Sequence, residues 1–149
     1  MLPFQPELST VQISEGQGWR LQVDPGRRPY SALIGGQDWA VELDPHELSG
    51  LRRGVLTLLA QRDQLLGCLM PEEELDLELD LSLPAREPGD SSGGALFVAI
   101  SGSADRWSLR FVLTPGDGSR AAEGAWSATA SPPLAAALEG LGDGFAEAL

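Results

Sequence analysis

Few side chains in this sequence could carry covalent or acid–base chemistry. His46 is its only histidine and Cys68 its only cysteine. His46 stands in the first turn of a helix start, with no serine or cysteine motif beside it, so a Ser–His or Cys–His nucleophile lacks its parts. Cys68 has no companion for a zinc site or an internal disulfide and reads as a small core residue. Gly35-Gly36 lacks the spacing and the lysine of a phosphate-binding loop. No catalytic residue, metal ligand or cofactor is therefore expected, and the chain reads as non-enzymatic.

Charge is the next source of chemistry. The chain carries 22 acidic and 10 basic residues, a net charge of −12, and every base is an arginine. The densest run is Glu74, Asp76, Glu78 and Asp80. Same-face neighbours on a strand sit about 6.6 to 7 Å apart, too far for one cation to take consecutive pairs directly. A solvated face, met in part by cross-strand arginines such as Arg20 or Arg110, is the expected state. Arg20, Arg110, Arg52 and Arg53 are the candidate binding residues, because a planar guanidinium suits bidentate contacts to anions. Whether they cluster is not written in the sequence. An acidic chain repels phosphate backbones unless its cations gather, and with 6% aromatic residues the stacking platform that single strands need is not evident.

These residues need elements to hold them. At 149 residues with 42% apolar content, the chain suits one domain with a full core. Mean hydropathy is −0.07, and no apolar run is long enough for a membrane helix. The opening MLPFQPELSTVQISEG has neither the basic nor the apolar region of a secretory signal, so a cytoplasmic protein is expected. Residues 1–17 read as an N-terminal arm with a short strand at Val11–Ile13, and 18–149 as one α+β domain.

Alternation marks strands at Trp19–Val23, Tyr30–Ile34 and Trp39–Leu43, joined by the turn signals Asp24-Pro25-Gly26 and Gly35-Gly36. These suggest an antiparallel meander. A helix then starts: Asp44 is an N-cap, Pro45 suits the first helical position and Glu47 completes a capping box. Leu48, Leu51, Val55, Leu58, Leu65 and Leu69 form its stripe, interrupted by Arg62, and Pro71 ends it. Gly50 and Gly54 cost helix propensity and point to close backbone packing. Glu74–Ser82 alternates strictly, with the leucines inward. Arg86–Gly94 is a loop, followed by strands at Leu96–Ile100, Trp107–Leu113 and Trp126–Ala130. Ser131 caps a last helix opened by Pro132 and Pro133.

The tryptophans suggest an internal repeat. Trp19 and Trp107 each open a strand, and Trp39 and Trp126 follow, each with glycine upstream and a capped, leucine-striped helix downstream. The fold class expected is two copies, about 19–70 and 96–141, of an antiparallel strand-rich unit ending in a helix. Either unit alone would leave a sheet face and a helix stripe bare, so the two must pack together. The tryptophans then read as core anchors.

GWRL at 18–21, GGQDWAVEL at 35–43, the long helix, WSLRF at 107–111 and EGAW at 123–126 together resemble a small cyanobacterial family known only as a domain of unknown function. The resemblance runs from about Gly18 to Leu141. It implies no activity. It implies a fold similar to the Whirly-type single-stranded-DNA-binding transcriptional regulators, with duplicated β-meander-plus-helix units. None of their DNA-binding motifs can be matched here residue by residue. The expected function is a non-enzymatic binding or assembly module acting through protein contacts or a homo-oligomer. The alternative is a single-stranded nucleic-acid-binding regulator.

Overall fold

A computed structural model describes residues 11–84, 93–116, 118 and 120–142. The order of elements is β1 (Gln12–Gly16), β2 (Trp19–Val23), β3 (Ala32–Gly35), β4 (Ala40–Leu43), α1 (Pro45–Leu66), β5 (Leu75–Ser82), β6 (Ala95–Gly102), β7 (Trp107–Thr114), β8 (Ala122–Trp126) and α2 (Ser131–Glu139). The strands form two four-stranded antiparallel meanders, β1-β2-β3-β4 and β5-β6-β7-β8, each followed by a helix. The fold is α+β and built from two similar units.

The units are interlocked through their helices. α1 ends the first unit but lies on β5 and β6 of the second, while α2 ends the second and lies on β1 and β2 of the first. Each helix packs on the other unit's sheet, and α2 also packs on β7 of its own. The core runs continuously from Leu21, Val23 and Ile34 through Leu48, Leu51, Val55 and Leu58 to Val98, Leu109, Phe111, Leu134 and Leu138. Gly50 and Gly54 let α1 approach closely. A Cβ on Gly50 would lie 2.8 Å from Leu83 Cδ2, and one on Gly54 would lie 3.0 Å from Leu81 Cδ1 and 3.1 Å from Val98 Cγ2.

α1 begins on the expected capping box. Asp44 Oδ1 accepts from the Glu47 N–H at 2.8 Å, and Glu47 Oε1 accepts from the Asp44 N–H at 2.9 Å. Its end differs from expectation: the helix stops at Leu66 with Gly67 as C-cap, before Pro71 is reached. Leu65, beyond the sheet it packs on, is exposed, and so is Cys68, which is not a core residue. Arg62 interrupts the stripe for a reason. It is buried, its guanidinium lies 5.2 Å from the Trp107 ring centroid, and Nη2 donates to the Ser103 and Ala104 carbonyls of the β6–β7 turn.

Other boundaries shift too. β1 extends to Gly16 and pairs along its length with β2, so residues 12–16 of the expected arm are sheet. β3 starts at Ala32 because Asp24 N–H donates to Ser31 O at 2.7 Å, closing the preceding loop and leaving Tyr30 outside the strand. The last strand ends at Trp126 rather than beginning there. Ser127 starts the turn into the helix, its Oγ accepting from Ala130 N–H at 3.1 Å. Ser131 does not cap α2, whose N-cap is Ala130. Its buried Oγ accepts from Leu109 N–H at 2.9 Å and donates to Ser127 O at 2.8 Å, pinning α2 to β7. The loop expected at 86–94 and the tail beyond Gly142 fall almost wholly outside the described residues.

The tryptophan scheme needs a correction. Trp19 opens the second strand of its unit and Trp107 the third of its own, while Trp39 precedes the fourth strand of the first unit and Trp126 ends the fourth of the second. The units are alike, but the tryptophans are not equivalent positions within them.

Candidate functional site

Two tryptophans are packed in a way that the strand pattern alone does not convey. Trp19 pairs with Gly16 across the β1–β2 hairpin, and Gly36 donates its N–H to Trp39 O at 2.9 Å across the next. Arg20 pairs with Gly35, so one step further along the ladder Trp19 stands beside Gly36. The end of the first sheet therefore reads Gly16, Trp19, Gly36, Trp39 across its four strands. A Cβ on Gly16 would lie 2.4 Å from Trp19 Nε1, and one on Gly36 would lie 2.2 Å from Trp39 Nε1. Each indole lies over the glycine of the preceding strand, in space that any other residue would fill.

Both rings are half-buried, unlike Trp107 and Trp126. They form walls of an open cleft of 690 Å³ at the hairpin end of the sheet, with Arg20, Glu15, Gln17, Gln37 and Asp38 supplying its polar groups. Arg20 Nε is buried there without a hydrogen-bond partner among the described residues. Trp39 also walls a second cleft, of 460 Å³, together with Arg110, Phe111, Glu123 and Gly124. Its ring is held from behind by Trp126, 5.1 Å between centroids, and by Phe111 at 6.0 Å. Arg110 is steadied by its own neighbour, with the guanidinium 5.0 Å from the Phe97 ring centroid.

Of the four arginines expected to bind, two flank this surface. Arg20 and Arg110 stand in the two clefts that share Trp39. Arg52 is engaged elsewhere: Nε donates to Leu138 O at 2.9 Å and Nη2 to Glu139 O at 3.2 Å, closing the C-terminal end of α2. Arg53 is exposed on α1 and does not join them. The acidic ladder is solvated as expected, but its expected partners are absent. Arg20 belongs to the other sheet, and Arg110 is separated from Glu78 by Ala99 in the register.

Two arginines the sequence did not single out have defined roles. Arg62 holds the β6–β7 turn, as described above. Arg120 Nη2 donates to both Glu47 oxygens at 2.9 and 2.7 Å, Nη1 donates to Glu42 O at 3.2 Å, and the guanidinium lies 4.3 Å from the Tyr30 ring centroid. It holds a positive φ of 49° to do so. Glu47 is the capping-box acid, so this arginine ties the second unit to the start of α1. Among the described residues, no three of His, Cys, Asp and Glu converge as metal ligands, and no helix is long and apolar enough to cross a membrane.

The fold is that of a duplicated sheet-and-helix protein with open aromatic clefts. Within that class the chain belongs to the family described as Domain of unknown function (DUF1818), which it matches over residues 14–141. It is also similar to a crystal structure of a protein with unknown function from Prochlorococcus sp. NATL2A, a cyanobacterium, described as of the DUF155 family. The two share 30% identity with a TM-score of 0.70, over 89% of this chain and 99% of that one. No curated protein sequence matches the chain.

Proposed function

We propose that the protein is a non-catalytic binding module that recognises another protein through the cleft of Trp19, Trp39 and Arg20. The observation that supports this is the pairing of two half-exposed indoles with a partnerless arginine Nε in an open cleft. Tryptophan and arginine are the residues most enriched among those that dominate protein–protein binding energy. An indole offers a large rigid apolar surface at little entropic cost, and a guanidinium adds directional donors. The complementary partner is a peptide segment with an aromatic or aliphatic side chain to lie on the indoles and a carboxylate for Arg20.

A second reading has one observation in its favour. The Trp39 surface, with an arginine on either side, is also the kind of platform on which bases stack. The resemblance to Whirly-type regulators drawn from the sequence motifs favours that reading, under which the protein is a single-stranded nucleic-acid-binding regulator. Charge weighs against it. Glu15 and Asp38 outnumber Arg20 in the first cleft, Glu123 offsets Arg110 in the second, and the chain as a whole carries −12. A phosphate backbone needs a positive groove. A cytoplasmic location accords with contact to an intracellular protein partner and is part of the same proposal.

The test is selection of displayed random peptides against the full chain, followed by titration of the recovered peptides. Peptides pairing an apolar ring with an acid should emerge, and Arg20→Gln should raise their dissociation constants by about tenfold. Oligothymidylate retained at low salt and released as salt rises, with no peptide recovered, would instead establish the nucleic-acid reading.

A further inference from the structure

We infer that β1 is a self-association edge, along which two copies of this chain pair antiparallel so that their first sheets become one continuous sheet. The two meanders leave β1, β4, β5 and β8 as outer strands. An outer strand presents a row of unpaired N–H and C=O groups, and folded proteins cover or defend such rows.

The other three each meet the opposite unit or carry charge. At β4 Arg120 Nη1 donates to Glu42 O at 3.2 Å, and at β8 the Trp39 ring lies over Gly124. β5 is defended by its acids. A two-fold axis through Leu77, Glu78 or Leu79 pairs positions of the same parity and sets acid against acid, Asp76 with Glu78, Asp76 with Asp80 or Glu78 with Asp80 in turn. An axis between residues would pair acids with leucines and turn one copy's core face outward. Like charges directly opposite are destabilising, so β5 resists a second copy in either arrangement.

β1 has no such defence. All five of its residues are exposed, and Glu15 is its one charge. Four large apolar residues are exposed among the described residues, and two of them stand at this edge: Val11 at 46% and Ile13 at 59%. A two-fold axis through Ile13 sets Ile13 against Ile13, Gln12 against Ser14 and Val11 against Glu15. No like-charge pair forms. The glutamate lies opposite Arg20 in its own sheet, which offsets its charge beside the join. The join also keeps the core faces of both sheets on one side, since same-parity pairing preserves the faces.

The full chain should therefore show a reversible monomer–dimer equilibrium in sedimentation across micromolar to submillimolar concentrations. Ile13→Glu places two carboxylates face to face and should raise the dissociation constant about tenfold or more, while Met70→Glu, at an exposed apolar residue away from the edge, should not. Should Ile13→Glu disturb the hairpin, amide exchange on the unmodified chain decides the matter: protection at Gln12–Glu15 should rise with protein concentration. A monomer at every concentration would overturn the inference. So would a dimer with concentration-independent exchange at β1, or one that forms only after residues 1–10 are deleted.

Discussion

Trp39 and Trp126 pack against each other with their ring centroids 5.1 Å apart and their planes tilted by 54°. Neither ring serves only its own unit. Trp126 donates its indole N–H to Gly35 O of the first sheet at 2.8 Å, and Trp39 covers Gly124 of the second. The helices make the same exchange, α1 on β5 and β6 and α2 on β1 and β2. An element that buries much of its apolar face on the opposite unit loses that burial when its own unit stands alone. The two units should fold and unfold as one.

Gly124 is where this clasp is least tolerant. A Cβ there would lie 2.4 Å from Trp39 Cη2, with two further ring carbons inside 2.7 Å. The ring is backed by Trp126 and Phe111 and has little room to withdraw. Gly124→Ala should therefore destabilise the chain by about 1–3 kcal/mol, as overpacked cores do. Urea denaturation followed by tryptophan emission checks this, and a midpoint equal to wild type would contradict it.

The Arg120–Glu47 pair is the second cross-unit tie. The Glu47 side chain is 3% exposed, so its carboxylate depends on partners inside the protein. Removing Arg120 strips one of those partners and leaves a buried charge less well compensated. Arg120→Ala should cost about 2–3 kcal/mol, less than the roughly 3–5 kcal/mol of a fully buried broken pair because the arginine is itself partly solvated. Pairing Arg120→Ala with Glu47→Gln should cost less than the sum of the two single changes, since both act on one interaction. Additive losses in the double-mutant cycle would show that the two side chains act independently.

Much of this architecture was legible in local spacing, and the limits have physical causes. Asp44, Pro45 and Glu47 announced the start of α1 because a capping box involves only neighbours in sequence. Alternation at 19–23 and 75–82 gave strands and their faces for the same reason. What the pattern could not give is what covers a face. Trp19 and Trp39 have the alternation of core residues, yet both stand at the end of the first sheet and are only partly buried against the core. The glycines at 16, 36 and 124 were the available signal, since each vacates the space an indole occupies. The partners of Arg52, Arg62 and Arg120 were not legible at all, because those acceptors lie on segments far away in the chain.

Two glycines of α1 should respond to alanine in opposite senses. Gly67 has φ −65° and ψ −15° with nothing within 4 Å of a built Cβ, so alanine fits the folded backbone without contact. Gly67→Ala should stabilise by about 0.5 kcal/mol, chiefly by restricting the unfolded chain. Gly54→Ala gains helix propensity of about 1 kcal/mol but must push apart Leu81 and the branched Val98, which sits within a strand. A net loss of about 1 kcal/mol is expected. Thermal melts of the two variants, read side by side, test whether α1 is held against the second sheet as closely as the distances indicate.

Adjacent arginines on α1 provide the last contrast. Arg52 closes the C-terminal end of α2 through the Leu138 and Glu139 carbonyls, which also accept from the Leu141 and Gly142 N–H groups just past the helix, each at 3.2 Å. A cation at that end also interacts favourably with the helix dipole. Arg52→Ala should cost about 1–2 kcal/mol through the lost charge-assisted bonds and should loosen α2 selectively. Arg53, one position on and exposed, should tolerate alanine within about 0.5 kcal/mol. Chemical denaturation gives the two energies, and amide exchange over Ser131–Glu139 locates the effect. If α2 exchanges no faster in Arg52→Ala than in Arg53→Ala, the arginine does not hold that helix, and its position must rest on core packing and the Ser131 bonds instead.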